Sequence, residues 1–323
     1  MNGINRYLNR LYDRTVADQD RLDSEKLREV LGHFQQTKPG ESGVIEETVD
    51  CECYLRQRVF FTSVDEMTVP MYVLTPKHAP SDRRMSIVLA LHGHGYGSRE
   101  MVGLYQDGSP RYTPTSHNDW AVQLVKEGFK VFVPEMIGLG DRKLEADREK
   151  ANSCYTLAVH HLMAGKTLAG LRTFEAQIAL DYIKETYPEA KIGVVGFSGG
   201  GLIATLLSVL DDRVKATVLS GYPNTFKGSV LATEHCLDNY IPGLLRLTEM
   251  PDLIGMIAPK PLFIETGEGD EVFPSRHAHL ATERIRSIYN TESKDSVFES
   301  ECFQGGHEVS GGSSTAWLKK QLM

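Results

Sequence analysis

The 323-residue sequence has no stretch that approaches the roughly 18 consecutive apolar residues of a membrane-spanning helix. Its first residues, Met1-Asn2-Gly3-Ile4-Asn5-Arg6, lack the apolar core and small-residue cleavage pattern of a secretory leader. Positive charge is in deficit: 35 Lys and Arg stand against 43 Asp and Glu, a formal net charge of −8. That balance speaks against a nucleic-acid partner, which calls for a basic stripe, and against docking on an anionic membrane. Cysteine is scarce and odd in number: Cys51, Cys53, Cys154, Cys236 and Cys302. Five scattered thiols do not make a disulfide framework, and they fit a reducing, cytoplasmic setting. The pair Cys51-Glu52-Cys53 is too tight for a zinc knuckle and has no second pair, so it reads as two thiols on one strand face. There is no internal repeat and no low-complexity tract.

What is present is the composition of an ordinary soluble globular protein, 41% hydrophobic and 24% charged. The length fits one α/β core of roughly 250 residues with an extension. Residues 1–36 read as helix, because Ile4, Leu8, Leu11 and Tyr12, then Leu22, Leu27, Val30 and Leu31, recur at helical spacing. Pro39-Gly40 ends that pattern. We therefore expect residues 1–50 to form a helical extension packed on the sheet, and residues 51–323 to form the main domain.

Within that domain, residues 54–61 and 68–75 have strand character. The run Ile87-Val88-Leu89-Ala90-Leu91 is apolar on both faces, as a central parallel strand requires. It leads into His92-Gly93-His94-Gly95. Strand and helix then alternate: helices near 118–127, 168–187, 200–210 and 276–289, strands near 131–134, 192–197, 216–219, 262–265 and 296–300, and a last helix at 315–322. Repeated β-α-β units predict a doubly wound, mostly parallel sheet flanked by helices. Residues 222–258 break the rhythm and read as an insertion that walls the pocket.

The strongest chemical signal is Gly196-Phe197-Ser198-Gly199-Gly200, preceded by an apolar strand and followed by an apolar helix. A G-x-S-x-G sequence at a strand–turn–helix junction is the setting of a nucleophilic serine. A serine hydroxyl needs a base at neutral pH, and this architecture orders the set serine, acid, histidine. Four of the eleven histidines follow Ser198. His235 precedes the expected acid, and His277 and His279 fall on a helix. His307 follows the last strand through Gln304-Gly305-Gly306 and is the expected base. Among Glu268, Asp270 and Glu271, Asp270 is the expected acid, because it follows a turn glycine at the end of a strand. The backbone N–H groups of Gly199 and His94 are the expected oxyanion donors. The side chains of His92 and His94 suggest metal binding only weakly, since no third ligand is evident; neither a metal nor a cofactor is expected. His160-His161 reads as one buried and one exposed ring. Glu135 and residues 138–142 read as a turn beside the pocket, and Arg172 and Glu175 as salt-bridging residues.

From about Met67 onward the chain resembles the α/β-hydrolase fold, in its dienelactone-hydrolase-like and acetyl xylan esterase-like branch. The matching pieces are His92-Gly93-His94-Gly95, Gly196-Phe197-Ser198-Gly199-Gly200, and Ala258-Pro259-Lys260-Pro261 ahead of Gly267-x-x-Asp270-x-x-Phe273-Pro274. The resemblance implies carboxylic ester hydrolysis on a small-molecule substrate, including deacetylation of sugars. Ser198 departs from dienelactone hydrolases proper, which use cysteine. Two other readings stand beside it: a peptidase of the prolyl-oligopeptidase type, whose propeller repeat this chain lacks, and a non-catalytic binding protein on the same fold. A homo-oligomer is left open.

Overall fold

Two kinds of strand build the sheet, and the apolar pattern separates them. The five strands whose sequences are apolar on both faces lie in its middle. These are β4 (Ser86–Leu91), β5 (Lys130–Pro134), β6 (Lys191–Phe197), β7 (Val214–Ser220) and β8 (Leu262–Gly267), nearly every residue of which is buried. Strands with more exposed residues lie towards the edges: β1 (Val44–Cys51) and β2 (Tyr54–Thr62) on one side, joined to the middle through the largely buried β3 (Thr68–Pro76), and β9 (Phe298–Phe303) on the other. The order is β1-β2-β3-β5-β4-β6-β7-β8-β9. Pairs from β5 through β9 are parallel, and β1, β2 and β3 join antiparallel. The computed structural model describes residues 3–20, 22–36, 43–78, 85–292 and 296–323.

The helices are α1 (Gly3–Ala17), α2 (Ser24–Leu31), α3 (Trp120–Lys126), α4 (Cys154–Met163), α5 (Leu168–Thr186), α6 (Gly199–Leu210), α7 (Met250–Gly255), α8 (Ser275–Glu292) and α9 (Gly312–Leu322). They cover both faces of the sheet and produce two apolar layers. One holds α5, α6, Phe132 and Ile264; the other holds α3, α9, Trp120 and Phe263. The parallel strands are thus buried on both faces, which is why they read as continuous apolar runs.

Several expectations change. Residues 1–36 contain two helices, α1 and α2. The Asp23 side chain caps the second by accepting the Lys26 N–H at 2.9 Å; such a cap competes with continued helix. The expected break at Pro39-Gly40 lies outside the described residues. Nor do these helices simply lie on the sheet. Tyr12 donates to Glu249 at 2.7 Å, and Gln19 to the Leu245 carbonyl at 2.9 Å, so α1 sits against the insertion. The segment 44–51 is a strand, paired with β2 through a tight hairpin. That hairpin overturns the reading of Cys51 and Cys53 as two thiols on one strand face: Cys51 ends β1 and Glu52-Cys53 forms the turn. The helix α4 was not expected. Among the described residues, the 222–258 stretch has no strand and contains 3-10 turns and α7.

Candidate active site

Strand order reverses around β4, which has β5 on one side and β6 on the other. At such a switch point the loops leaving adjacent strands part and open a crevice at the carboxyl edge. The expected site residues all leave strands at this edge: His94 after β4, Ser198 after β6, Asp270 after β8 and His307 after β9.

Ser198 occupies a sharp turn with φ 52° and ψ −121°, a strained conformation for a residue with a side chain. The turn is held because strand and helix pack very closely. A Cβ on Gly196 would stand 2.3 Å from the Gly200 carbonyl oxygen, and one on Gly200 would stand 2.1 Å from that of Leu91. Glycine at these two positions is a steric requirement, which explains the spacing of the motif. The Ser198 N–H donates to the Ser220 carbonyl at 2.9 Å, and α6 starts at the next residue.

His307 links the other two residues. Its Nε2 lies 2.9 Å from Ser198 Oγ, and its Nδ1 lies 2.8 Å from Asp270 Oδ2. The second Asp270 oxygen accepts the N–H groups of Val272 and Phe273, both at 2.8 Å. The carboxylate is therefore fixed by three donors. The imidazole lies between Phe197, 4.9 Å away between ring centres, and Phe273, stacked at 5.8 Å. His277 and His279 lie on α8, as expected, and Glu268 and Glu271 are exposed. His235 comes closer than its place in the sequence suggests, because its ring packs edge-on against Phe273 at 5.1 Å.

Buried polar groups fix the loop after β4. The His92 Nε2 accepts the Met136 N–H at 3.0 Å, so Nδ1 carries the proton and donates to the Gly93 carbonyl at 2.9 Å. Burial lowers the His92 pKa to about 4 and keeps the ring neutral. His117, also buried and pushed well below the usual histidine range, accepts the Gly93 N–H at 3.0 Å. Glu135 accepts the Ser98 N–H at 3.0 Å, and burial raises its carboxyl to about 7. Among the described residues, the N–H groups of His94 and Gly199 have no hydrogen-bond partner.

The His94 side chain has a setting that the sequence did not reveal. Its Nε2 lies 3.0 Å from Asp238 Oδ2 and 3.7 Å from Cys154 Sγ. Asp238 also pairs with the buried Arg172, whose guanidinium contacts Cys154 Sγ at 3.2 Å. Burial alone would lower the His94 pKa; the Asp238 charge and hydrogen bond outweigh it and raise the imidazole to about 9. His94, Cys154, Cys236 and Asp238 together offer four ligand atoms within 4.8 Å of one another, so the argument that His94 lacks a third ligand does not hold. Arg172 and Glu175 both form salt bridges, but with different partners: Asp238 for the first and Arg142, at 2.6 Å, for the second. His160 is exposed and His161 half-buried. Asp238, Cys154 and Cys236 gave no sequence signal, since nothing in the chain ties position 94 to positions 154 and 238.

Fold and site together define a hydrolase of the esterase type on the α/β-hydrolase fold. The dienelactone hydrolase family model matches residues 111–299, and the chain belongs to that family. The match includes Ser198 and Asp270, and His307 lies just beyond it. The chain is 25% identical over 266 residues to YtaP of Bacillus subtilis (strain 168), provisionally named a hydrolase, covering 79% of this chain and 81% of that protein. In fold it is similar to a protein of Bacteroides fragilis NCTC 9343 provisionally described as an acetyl xylan esterase. That structure has a TM-score of 0.70 and 17% identity, over 87% of this chain and 73% of that one. It is also similar to the glucuronoyl esterase from Solibacter usitatus, with a TM-score of 0.65 and 14% identity, over 97% and 92%. Among the described residues no helix is long and apolar enough to cross a membrane.

Proposed function

We propose that the protein is a serine-dependent carboxylic ester hydrolase that acts on short acyl esters through an acyl-enzyme. The observation that carries this reading is His307 standing within hydrogen-bond reach of both Ser198 Oγ and Asp270 Oδ2, at 2.9 and 2.8 Å. Ser198 Oγ attacks the ester carbonyl carbon while His307 Nε2 takes its proton. Asp270 accepts from His307 Nδ1–H, holds the tautomer and stabilises the imidazolium. The carbonyl oxygen becomes an anion facing the unpaired N–H groups of His94 and Gly199. Collapse of the tetrahedral intermediate breaks the bond to the alcohol oxygen, which leaves with the proton from His307. Water then attacks the acyl-enzyme and gives its proton to His307; the acid departs and Ser198 regains a proton.

Support for a small substrate comes from the pocket walls. A cleft of about 590 Å³ opens beside His94, with Tyr96, Gln106, Lys143, Arg148 and Asn152 among its lining. That polar lining suits a hydrophilic alcohol. In the insertion, Leu244, Met250, Leu253 and Ile254 are buried and Arg246 is exposed, so its apolar face is spent on packing. Each added acyl methylene is worth about 0.8 kcal/mol only where a pocket can bury it. We take residues 51–323, with the insertion at 222–258, as the catalytic unit. We take residues 1–50 as an N-terminal extension, of which α1 props the insertion while β1 joins the edge of the sheet, and the cytoplasm as the site of action.

Fluorophosphonate labelling tests the nucleophile: the wild type should be modified on Ser198 and Ser198→Ala should not react. A series of p-nitrophenyl esters tests the acyl preference, with kcat/KM falling from acetate or butyrate towards decanoate. Rising values through the octanoate ester, or activation at an oil–water interface, would contradict the short-acyl reading.

A further inference from the structure

We propose that His94 Nε2, Cys154 Sγ, Cys236 Sγ and Asp238 Oδ2 form a structural zinc site that pins the insertion to the loop after β4. The four atoms come from three separate stretches of chain: the loop after β4, the start of α4, and the insertion. Four-coordinate zinc, with Zn–S near 2.3 Å and Zn–N or Zn–O near 2.0–2.2 Å, places its ligand atoms roughly 3.3–3.8 Å apart. Here Nε2 and Oδ2 are 3.0 Å apart, Nε2 and the Cys154 sulfur 3.7 Å, and no pair exceeds 4.8 Å. Closing onto an ion needs shifts of an ångström or less. Two sulfurs, an imidazole and a carboxylate are a donor set suited to zinc and foreign to the hard cations magnesium and calcium. All four positions are filled by protein, which is the mark of a structural site rather than a catalytic one.

The surroundings supply what thiolate ligands need. Arg172 donates to Cys154 Sγ at 3.2 Å and pairs with Asp238, while Asn152 Nδ2 lies 3.8 Å from Cys236 Sγ. Such outer donors orient ligands and disperse their charge. The balance of charge is complete: Zn²⁺ with two thiolates and a carboxylate carries −1, and the Arg172 guanidinium brings the buried cluster to zero. Binding releases the two thiol protons and the proton on His94 Nε2; the imidazole keeps its proton on Nδ1. No electron is transferred. Zinc here would hold the backbone of His94, a proposed oxyanion donor, without touching substrate.

The test uses the full-length wild-type chain and is read without any activity assay. Protein purified with reductant, loaded with zinc and dialysed against metal-free buffer should retain one zinc per chain by mass spectrometry. Cobalt substitution should give a thiolate-to-cobalt charge-transfer band and the intense visible bands of tetrahedral cobalt. Cys236→Ser should lose both the retained zinc and the charge-transfer band, whereas Cys302→Ser, on β9, should keep them. A wild-type chain that retains no zinc, or whose cobalt spectrum lacks the thiolate band, would overturn the site whether or not the variants fold. So would Cys154 and Cys236 alkylating as fast as Cys302 in the zinc-loaded protein.

Discussion

Two histidines flank Ser198, each facing a buried aspartate, and they are built for different work. His307 meets Asp270 through Nδ1 and turns Nε2 on Ser198 Oγ. His94 meets Asp238 through Nε2, and that same nitrogen lies near Cys154 rather than any serine. The two aspartates differ in the same way. Asp270 is held by backbone N–H groups and, among the described residues, pairs with no arginine, so its charge is directed at one imidazole. Asp238 is shared between His94 and Arg172, which hold its carboxyl well below the usual range in spite of burial. A His–Asp pair is thus not in itself a catalytic unit. What matters is the nitrogen left over and what it faces.

The comparison breaks most sharply on the His307 side. Ser198→Ala and His307→Ala should each lower kcat for a short ester by roughly 10⁴–10⁶, and the double variant should be little worse than either alone. Independent, multiplying losses in a steady-state assay would show that the two do not act as one unit. Asp270→Asn should cost somewhat less, about 10⁴ in kcat, because it disturbs the imidazole tautomer while leaving nucleophile and base in place. A loss below tenfold would leave His307 without need of its acid.

On the other side, Asp238→Asn should act on stability. It leaves the Arg172 guanidinium buried without a full counter-charge, a change that typically costs about 3–5 kcal/mol. Urea unfolding should detect that loss, while kcat should fall far less than in Asp270→Asn. The reverse ranking would erase the distinction between the two pairs.

The smallest effect concerns the buried groups that hold the loop after β4. Burial raises Glu135 to about 7, well above the usual range of a glutamate, so the folded state keeps a proton that the unfolded chain gives up. Its contribution is fullest below the unfolded pKa and is lost as pH rises towards 7, on the order of 3 kcal/mol. Glu135→Gln keeps an acceptor for the Ser98 N–H and should flatten this slope. Unfolding free energies at pH 5 and pH 7.5 measure it, and an unchanged slope would remove Glu135 from the account.

Much of this was legible in the sequence, for local reasons. The apolar runs ending at Leu91, Phe197 and Glu265 declared strands buried on both faces. Glycines around Ser198 declared a close strand–helix approach, and the order serine, acid, histidine pointed to Asp270 and His307. These signals are short in range: periodicity over a few residues, or a turn that only glycine permits. The strand β1 was missed because Val44-Ile45-Glu46-Glu47 alternates poorly and pairs only at an edge, where burial imposes little pattern.

By itself, then, the sequence determined the fold class, the elbow at Ser198 and the chain order of its partners, since each follows from residue type at fixed local spacing. Only the tertiary structure decided that His94 meets Asp238, Cys154 and Cys236, and that α1 rests on the insertion through Tyr12 and Glu249. Those contacts join segments from about 60 to well over 200 residues apart. Charge and sulfur chemistry act through space, and a linear pattern holds no record of which distant loops the packed sheet will bring face to face.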